Sequence, residues 1–331
     1  MLCGAMGNSE HAAGPSSASR KRGRVDLETH CDLQQHELRV GALAVKLRRR
    51  LPATPCHAGS AAAAGSAAAG SHRAAAESAT TTDGSNAALE ADTTGLDLWT
   101  PAVRLCVSYL HANASECGMQ SRGNGASVLE LGAGLGAAGL LAAQLGTRGL
   151  LLTDGEPHML PLLEANAALN PLPGSAPINT ARLRYGDDAD AEAALRQLPD
   201  GATLLIIGSD LLYSTRLAVS LLRTLRYLLY HRAPSRALIS HTVRRSVYAG
   251  ADGEVKQEEN DSVLESFLSA ASGDGTAGYS QPAEDANEGA LENAWVRCVL
   301  RVKLLSRTNE DGEELRLYAL SLNKSLRPRS E

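Results

Sequence analysis

A glycine-rich segment that follows an apolar run is the clearest sign of chemistry in the sequence. It reads Val128-Leu129-Glu130-Leu131-Gly132-Ala133-Gly134-Leu135-Gly136. Glycines let the main chain turn sharply and let a ligand approach it closely. The helix predicted to begin here would also offer unpaired N–H groups to a polar or anionic ligand. The segment therefore predicts a ligand-binding loop between a buried strand and a helix.

An acidic residue at the end of the next predicted strand narrows the type of ligand. Asp154 lies where a carboxylate can hold a ribose diol, so loop and acid together indicate an adenosine-containing cofactor. Gly134 to Gly139 satisfies the dinucleotide fingerprint G-x-G-x-x-G. Glu130 instead favours S-adenosylmethionine, because its carboxylate can contact the cationic amino-acid end of that cofactor. The chain has no P-loop, G-x-S-x-G or H-E-x-x-H motif.

A second group of candidate residues ends another predicted strand, in Gly208-Ser209-Asp210-Leu211-Leu212-Tyr213. Ligands of open α/β sheets bind beyond the carboxyl ends of the strands, so we expect Asp210 and Tyr213 beside the glycine loop. The alternative is that Asp210 caps the following helix and Tyr213 packs in the core. A dinucleotide-dependent oxidoreductase would need an acid–base residue here, and the sequence offers only His241.

Strands and helices that alternate along the chain would position these residues. The predicted strands are 127–131, 149–153, 181–185, 203–209 and 236–241, and the predicted helices are 136–145, 157–168 and two that begin near Thr100 and Thr215. Apolar strands alternating with helices are typical of a parallel sheet covered on both faces. Two last strands, 295–305 and 314–322, predict an antiparallel pair, because a turn-forming segment joins them.

The chain has 331 residues, more than one such domain needs. The predicted parts are a disordered tail 1–24, an N-terminal β-hairpin 25–50, a disordered insert 51–94, the main domain 95–323 and a tail 324–331. The insert is predicted to be disordered because Ala, Gly and Ser make up 17 of the 20 residues from Ala58 to Glu77.

Residues 245–294 are predicted to form an acidic insert within the main domain. They hold eleven acidic residues against Arg245 and Lys256, with one helical stretch at 262–271. Such a segment can dock a basic part of a protein substrate, or it can be a solvated loop without a role.

Composition argues against several other classes of protein. Aromatic residues make up only 3% of the chain and its net charge is −5, so we expect no nucleic-acid partner and no membrane surface. The six cysteines form no C-x-x-C pair, and no histidine cluster accompanies them. We therefore predict reduced thiols, no metal site, and a cytoplasmic, and in part also nuclear, monomer.

Four segments together resemble the seven-strand protein-lysine methyltransferases of the Methyltransferase_16 group, which includes METTL21-like and calmodulin-lysine methyltransferases. They are Gly95-Leu96-Asp97-Leu98-Trp99, the glycine loop, Leu152-Thr153-Asp154 with the helix that carries Asn166 and Asn170, and Asp210-Leu211-Leu212-Tyr213. The resemblance implies a Rossmann-like class I fold that ends in an antiparallel strand pair, with S-adenosylmethionine as cofactor.

The resemblance also implies roles for single residues. Trp99 would pack against the cofactor, Glu130, Gly132, Ala133 and Gly134 would line its methionine end beside Gly136, Asp154 would bind its ribose, and Ser209 would contribute a main-chain contact. Where the family has Trp in a Leu-x-Trp-Gly segment, this chain has Tyr185, which can cover the adenine with less ring area.

These features predict transfer of methyl groups to a protein lysine, with Asp210 orienting or accepting from the amine and Tyr213 shaping its channel. Three alternatives stay open: a methyltransferase with a small-molecule or non-lysine acceptor, a dinucleotide-dependent oxidoreductase, and a catalytically dead cofactor-binding module.

Overall fold

The computed structural model describes residues 33–50, 99–119, 125–172, 176–250, 253–273 and 294–323. The predicted tails and the insert 51–94 lie outside these ranges. The described strands are β1 (Leu33–Val40), β2 (Leu43–Arg50), β3 (Ser127–Leu131), β4 (Gly149–Asp154), β5 (Ile178–Arg182), β6 (Leu204–Ser209), β7 (Ser235–Thr242), β8 (Val247–Ala249), β9 (Val255–Gln257), β10 (Leu300–Glu310) and β11 (Glu313–Leu322). The described helices are α1 (Thr100–Ala112), α2 (Ala137–Ala143), α3 (Leu160–Leu169), α4 (Asp188–Arg196), α5 (Thr215–His231) and α6 (Ser262–Ser272). None of these helices is long and apolar enough to cross a membrane.

Seven strands form the central sheet in the order β10-β11-β7-β6-β3-β4-β5. The five strands from β7 to β5 pair in parallel, and β11 pairs antiparallel with both β7 and β10. The predicted mostly parallel sheet with a C-terminal antiparallel pair is confirmed. Because the chain places β4 on one side of β3 and β6 on the other, the carboxyl ends of β3 and β6 meet at a topological switch point.

Helices cover both faces of this sheet, and the apolar strands explain why. In β3 Val128 packs into a core with α1, α2 and α3, whereas the next residue, Leu129, packs into a second core with α4, α5 and α6. Alternate side chains of a strand point to opposite faces, so a strand with two buried faces is mostly apolar. All five residues of β3 are buried.

The N-terminal hairpin β1–β2 packs on the first of these cores. Leu38 and Val40 of β1 and Val45 and Leu47 of β2 are buried there. This hairpin lies within the segment 25–50 for which the sequence predicts one. The separate strand predicted at Val25 to Glu28 lies outside the described residues.

Several predicted boundaries are wrong. The strand predicted at 181–185 is β5, three residues earlier, because this edge strand is largely polar and gives a weak pattern. A 3-10 turn at Ala294–Arg297 precedes β10, so that strand begins at Leu300 rather than at residue 295. Helix α4 was missed, although Asp187 accepts from the N–H of Asp190 as its N-cap.

The acidic insert contains more structure than the sequence predicts. Between residues 245 and 273 the short hairpin β8–β9 is followed by α6, close to the predicted 262–271 helix. Leu264 and Phe267 of α6 are buried against the sheet. This half of the insert is therefore part of the folded domain, and residues 274–293 lie outside the described residues.

Candidate functional site

The glycine loop leaves the carboxyl end of β3 with an unusual backbone. Gly132, Gly134 and Gly136 have φ values of 54°, 51° and 79°, in the left-handed region that favours glycine. The N–H of Ala133 donates to the carbonyl of Thr153 at the end of β4, over 2.8 Å. The loop is thus held against the neighbouring strand with its main chain uncovered by Cβ atoms at three positions.

Asp154 ends β4 beside this loop. Its Oδ2 accepts from the N–H of Gly134 and its Oδ1 from the N–H of Glu156, each over 3.0 Å. Burial raises the pKa of this carboxyl, and the two main-chain N–H groups oppose that rise. Each oxygen keeps a further lone pair, so the residue can also accept from ribose hydroxyls, as the sequence predicts.

Glu130 has a different environment from the predicted one. Its buried carboxylate is turned towards α2, where Oε2 accepts from the N–H of Gly139 over 2.8 Å and Ala138 also donates to it. The helix start therefore does not offer these two N–H groups to a ligand, contrary to our expectation. Burial raises the pKa of Glu130 to about 8, and a neutral carboxyl supplies no charge for the cationic end of a cofactor. That predicted contact stays a prediction, and this geometry does not favour it.

Glu130→Gln is expected to flatten the pH dependence of stability. As the pH rises from the ordinary value of 4.5 towards about 8, the unfolded chain loses the proton that folded Glu130 retains, so the pKa difference lowers the free energy of unfolding. Between pH 5.5 and 8.0 we expect the free energy of unfolding of wild type to fall by about 2–3 kcal/mol more than that of the variant. Urea denaturation at both pH values measures this. Equal losses would contradict it, and exposed Glu192→Gln serves as the control.

The D-x-x-Y segment lies directly beside the glycine loop. A Cβ built on Gly132 would come within 2.8 Å of Leu211 Cδ2 and would overlap the hydroxyl oxygen of Tyr185. Tyr185, half-buried, has its pKa raised by burial and by the nearby Asp154 and Tyr213. Tyr213 is 42% exposed. The predicted loop, acid and tyrosines therefore share one edge of the sheet.

Asp210 is buried, with a φ of 62°. Its Oδ1 accepts from the N–H of Thr242 (3.0 Å) and from Arg244 Nη1 (2.9 Å), and its Oδ2 accepts from Arg244 Nη2 (2.6 Å). It does not cap α5, since Ser214 does so by accepting from the N–H of Leu217. Thr215 is the first residue of this helix, where the sequence predicts its start. Ser209, just before, hydrogen-bonds through its Oγ to Ser240.

Trp99 stands at the start of α1 and is 46% exposed. The guanidinium of Arg244 lies over its ring, 5.5 Å from the centroid, in a cation–π contact. Arg244 thus joins Trp99 to Asp210. Nothing in the sequence indicates this role of Arg244, because no spacing pattern relates it to Asp210, 34 positions away.

His241 does not have the exposure that acid–base chemistry needs. The side chain is fully buried, and Nε2 lies 2.8 Å from Asp261 Oδ2. Asp261 also caps α6 by accepting from the N–H of Leu264. Nδ1 lies 3.6 Å from Asp210 Oδ1, too far for a hydrogen bond. The oxidoreductase alternative therefore loses its only acid–base candidate.

The strand order, the glycine loop at the switch point and the closing antiparallel pair define a class I methyltransferase fold. A family model described as "Lysine methyltransferase" matches residues 86–251, and the chain belongs to this family.

Two curated relatives carry this likeness. The chain is 33% identical over 132 residues to the protein N-lysine methyltransferase METTL21A of Danio rerio, over 40% of this chain and 54% of that protein. It is 29% identical over 151 residues to the protein N-terminal and lysine N-methyltransferase efm7 of Aspergillus fumigatus, over 44% of this chain and 56% of that protein. The chain thus spans about half the length of the curated relatives it matches.

Among solved structures, the magnesium protoporphyrin IX methyltransferase of Synechocystis PCC 6803 with bound SAH superposes with a TM-score of 0.37 at 14% identity. The superposition covers 66% of this chain and 80% of that one.

Proposed function

We propose that this protein transfers methyl groups from S-adenosylmethionine to a lysine side chain of a protein substrate. The observation that carries the proposal is the packing of Leu211 against Gly132, which brings the D-x-x-Y segment and the glycine loop to one site. Membership of the lysine methyltransferase family and the names of the two curated relatives support the choice of acceptor.

The residues at the switch point fit this cofactor. Gly134 leaves the main chain of the loop without a Cβ, Asp154 has acceptor capacity for a ribose diol, and Tyr185, whose hydroxyl lies against Gly132, places an aromatic ring beside the loop. S-adenosylmethionine, when bound, supplies a methyl group already activated on a sulfonium. Alignment of the amine with that methyl group is then the main task of the protein.

The acceptor lysine has to reach the methyl group as a neutral amine. From its ordinary pKa of about 10.4, deprotonation near neutral pH costs about 4 kcal/mol. An unpaired carboxylate beside the amine would favour the ammonium and increase this cost. Arg244 neutralises Asp210, so we assign Asp210 the task of holding the D-x-x-Y loop in place, which replaces direct acceptance from the amine. Tyr213, exposed at the same edge, is the residue we assign to the acceptor channel.

Calorimetry with S-adenosylmethionine and with NAD tests the choice of cofactor. We expect saturable binding of S-adenosylmethionine and none of NAD. Binding of NAD, or of neither, would contradict the proposal. The control variant Gly201→Ala should bind S-adenosylmethionine as wild type does, because nothing lies within 4 Å of the new Cβ and Gly201 is away from the switch point.

We infer further that a basic segment of the substrate docks on the β8–β9 hairpin. Val247 and Val255 are 61% and 79% exposed, Glu254 precedes β9, and Glu258 and Glu259 follow it. Arg245 Nε donates to the carbonyl of Glu259 over 2.9 Å, so the hairpin is tied to the segment that contains Arg244. Carboxylates next to an exposed apolar surface complement a basic, partly apolar peptide.

Glu254→Lys with Glu259→Lys is expected to raise the KM for a basic protein substrate several-fold while kcat changes little, because encounter is weakened and the site is untouched. Steady-state assays at low and high salt measure this, and the difference from wild type should shrink at high salt. Glu116→Lys with Glu192→Lys, the same charge change at two exposed sites outside the hairpin, is the control. An unchanged KM would favour the solvated-loop alternative.

A further inference from the structure

Two asparagines, Asn166 in α3 and Asn170 at its C-cap, hold the N-terminal hairpin by its backbone. Asn170 Oδ1 accepts from the N–H of Lys46 over 2.8 Å, and its Nδ2 donates to the carbonyl of Lys46 over 2.7 Å. Asn166 makes the same pair of hydrogen bonds with Arg48: its Oδ1 accepts from the N–H over 2.6 Å and its Nδ2 donates to the carbonyl over 3.2 Å. Each side-chain amide therefore makes the two hydrogen bonds that a residue of a neighbouring strand would make with β2.

The spacing of these residues explains why the arrangement fits. Asn166 and Asn170 are one helical turn apart, which is a rise of about 6 Å. Lys46 and Arg48 are two positions apart in β2, which spans about 6.7 Å. The backbone N–H and C=O groups of Lys46 and Arg48 point away from β1. The asparagines therefore supply hydrogen-bond partners to an edge of β2 that would otherwise lack them. Both asparagine side chains are buried.

Asn166 differs from Asn170 in one contact. Its Nδ2 also donates to the carbonyl of Leu135, in the glycine loop, over 3.0 Å. The second N–H of Asn170 donates instead to the carbonyl of Asn166, over 2.7 Å. Both N–H groups of Asn166 are therefore in use, one on the hairpin and one on the glycine loop.

We propose that Asn166 is a positioning residue that makes the shape of the cofactor loop depend on the docked hairpin. Leu135 lies between two left-handed glycines, so its peptide can rotate easily if its carbonyl is released. The hairpin thus contributes to cofactor affinity although its own residues need not touch the cofactor. This inference rests on the proposed use of S-adenosylmethionine.

Asn166→Ala and Asn170→Ala form a matched pair that tests the proposal. Both remove one clamp on β2, so both should lower the Tm by several degrees. Asn166→Ala alone should weaken binding of S-adenosylhomocysteine about tenfold, which is about 1.4 kcal/mol, measured by calorimetry. Equal affinities in the two variants would overturn the proposal. Asn166→Asp keeps the acceptor for Arg48 but loses both N–H donors, and it should weaken binding likewise if the alanine variant does not fold.

Hydrogen exchange without ligand separates this inference from the proposed function. The N–H of Ala133 and that of Gly136 are hydrogen-bonded within the described structure and report on the loop. Their exchange should accelerate in Asn166→Ala and stay near wild type in Asn170→Ala, whether or not the protein binds S-adenosylmethionine. Unchanged exchange in Asn166→Ala would overturn the inference. Wild type that binds no S-adenosylhomocysteine would overturn the proposed function instead.

Discussion

Asp210→Ala is expected to lower the free energy of unfolding by about 3 kcal/mol and to abolish methyl transfer. The substitution leaves the N–H of Thr242 and the guanidinium of Arg244 without their shared acceptor. The loss is no larger because Arg244 is about one third exposed, so its guanidinium keeps part of its hydration when Asp210 is removed. The φ of 62° adds strain for alanine, whereas Asp and Asn tolerate it.

Asp188 provides the matched control for this substitution. Arg223 binds it with the same two-pronged geometry, over 3.1 and 2.7 Å, but both side chains are more than one third exposed. Asp188→Ala should therefore cost less than about 1 kcal/mol and leave activity near wild type. Asp210→Asn should fall between wild type and Asp210→Ala. Chemical denaturation that places Asp210→Ala within about 1 kcal/mol of wild type would contradict the assigned role.

Gly132→Ala is expected to weaken cofactor binding at least a hundredfold. The new Cβ would overlap the Tyr185 hydroxyl oxygen, would lie 2.8 Å from Leu211 Cδ2, and would require a φ of 54° that alanine rarely adopts. The D-x-x-Y segment and the glycine loop would then be pushed apart. Calorimetry with S-adenosylhomocysteine measures the loss.

Two further variants show whether the cause is steric. Gly201 also has a positive φ, of 71°, but nothing lies within 4 Å of its Cβ position, so Gly201→Ala should cost about 1 kcal/mol and leave binding unchanged. Tyr185→Phe in the Gly132→Ala background should recover part of the affinity, because the nearest ring carbon is 3.6 Å from the new Cβ. Additive effects of the two substitutions would show that Tyr185 and Gly132 do not interact.

The sequence predicts the parts of the fold that depend on buried strands and glycines. β3 is predicted at its observed bounds, because a short, mostly apolar run followed by glycines fits few other structures. β5 was misplaced because an edge strand needs no continuous apolar run, and the larger side chains of Leu183 and Tyr185 drew the prediction past its end. The signal for α4 was present in Asp187 and the acids of its first turn.

In the candidate site, too, the sequence predicts the positions of residues better than the directions of their side chains. The places of Gly132, Asp154 and Asp210 in the fold can be predicted from the sequence, because each ends or directly follows a strand at the same edge of the sheet. The direction of a carboxylate could not be identified, since Glu130 turns to α2 and Asp210 to Arg244 only in the folded chain. The bond between Asn166 and Leu135 likewise joins residues 31 positions apart, and no local pattern predicts it.

Transfer of labelled methyl groups tests the central claim most directly. The full chain is incubated with methyl-labelled S-adenosylmethionine and protein extract, and the modified residue is identified by mass spectrometry. We predict label on lysine in one or a few proteins, retained with Gly201→Ala and lost with Gly132→Ala and Asp210→Ala. Binding without transfer, or label on a small molecule or on another side chain, would contradict protein-lysine methylation.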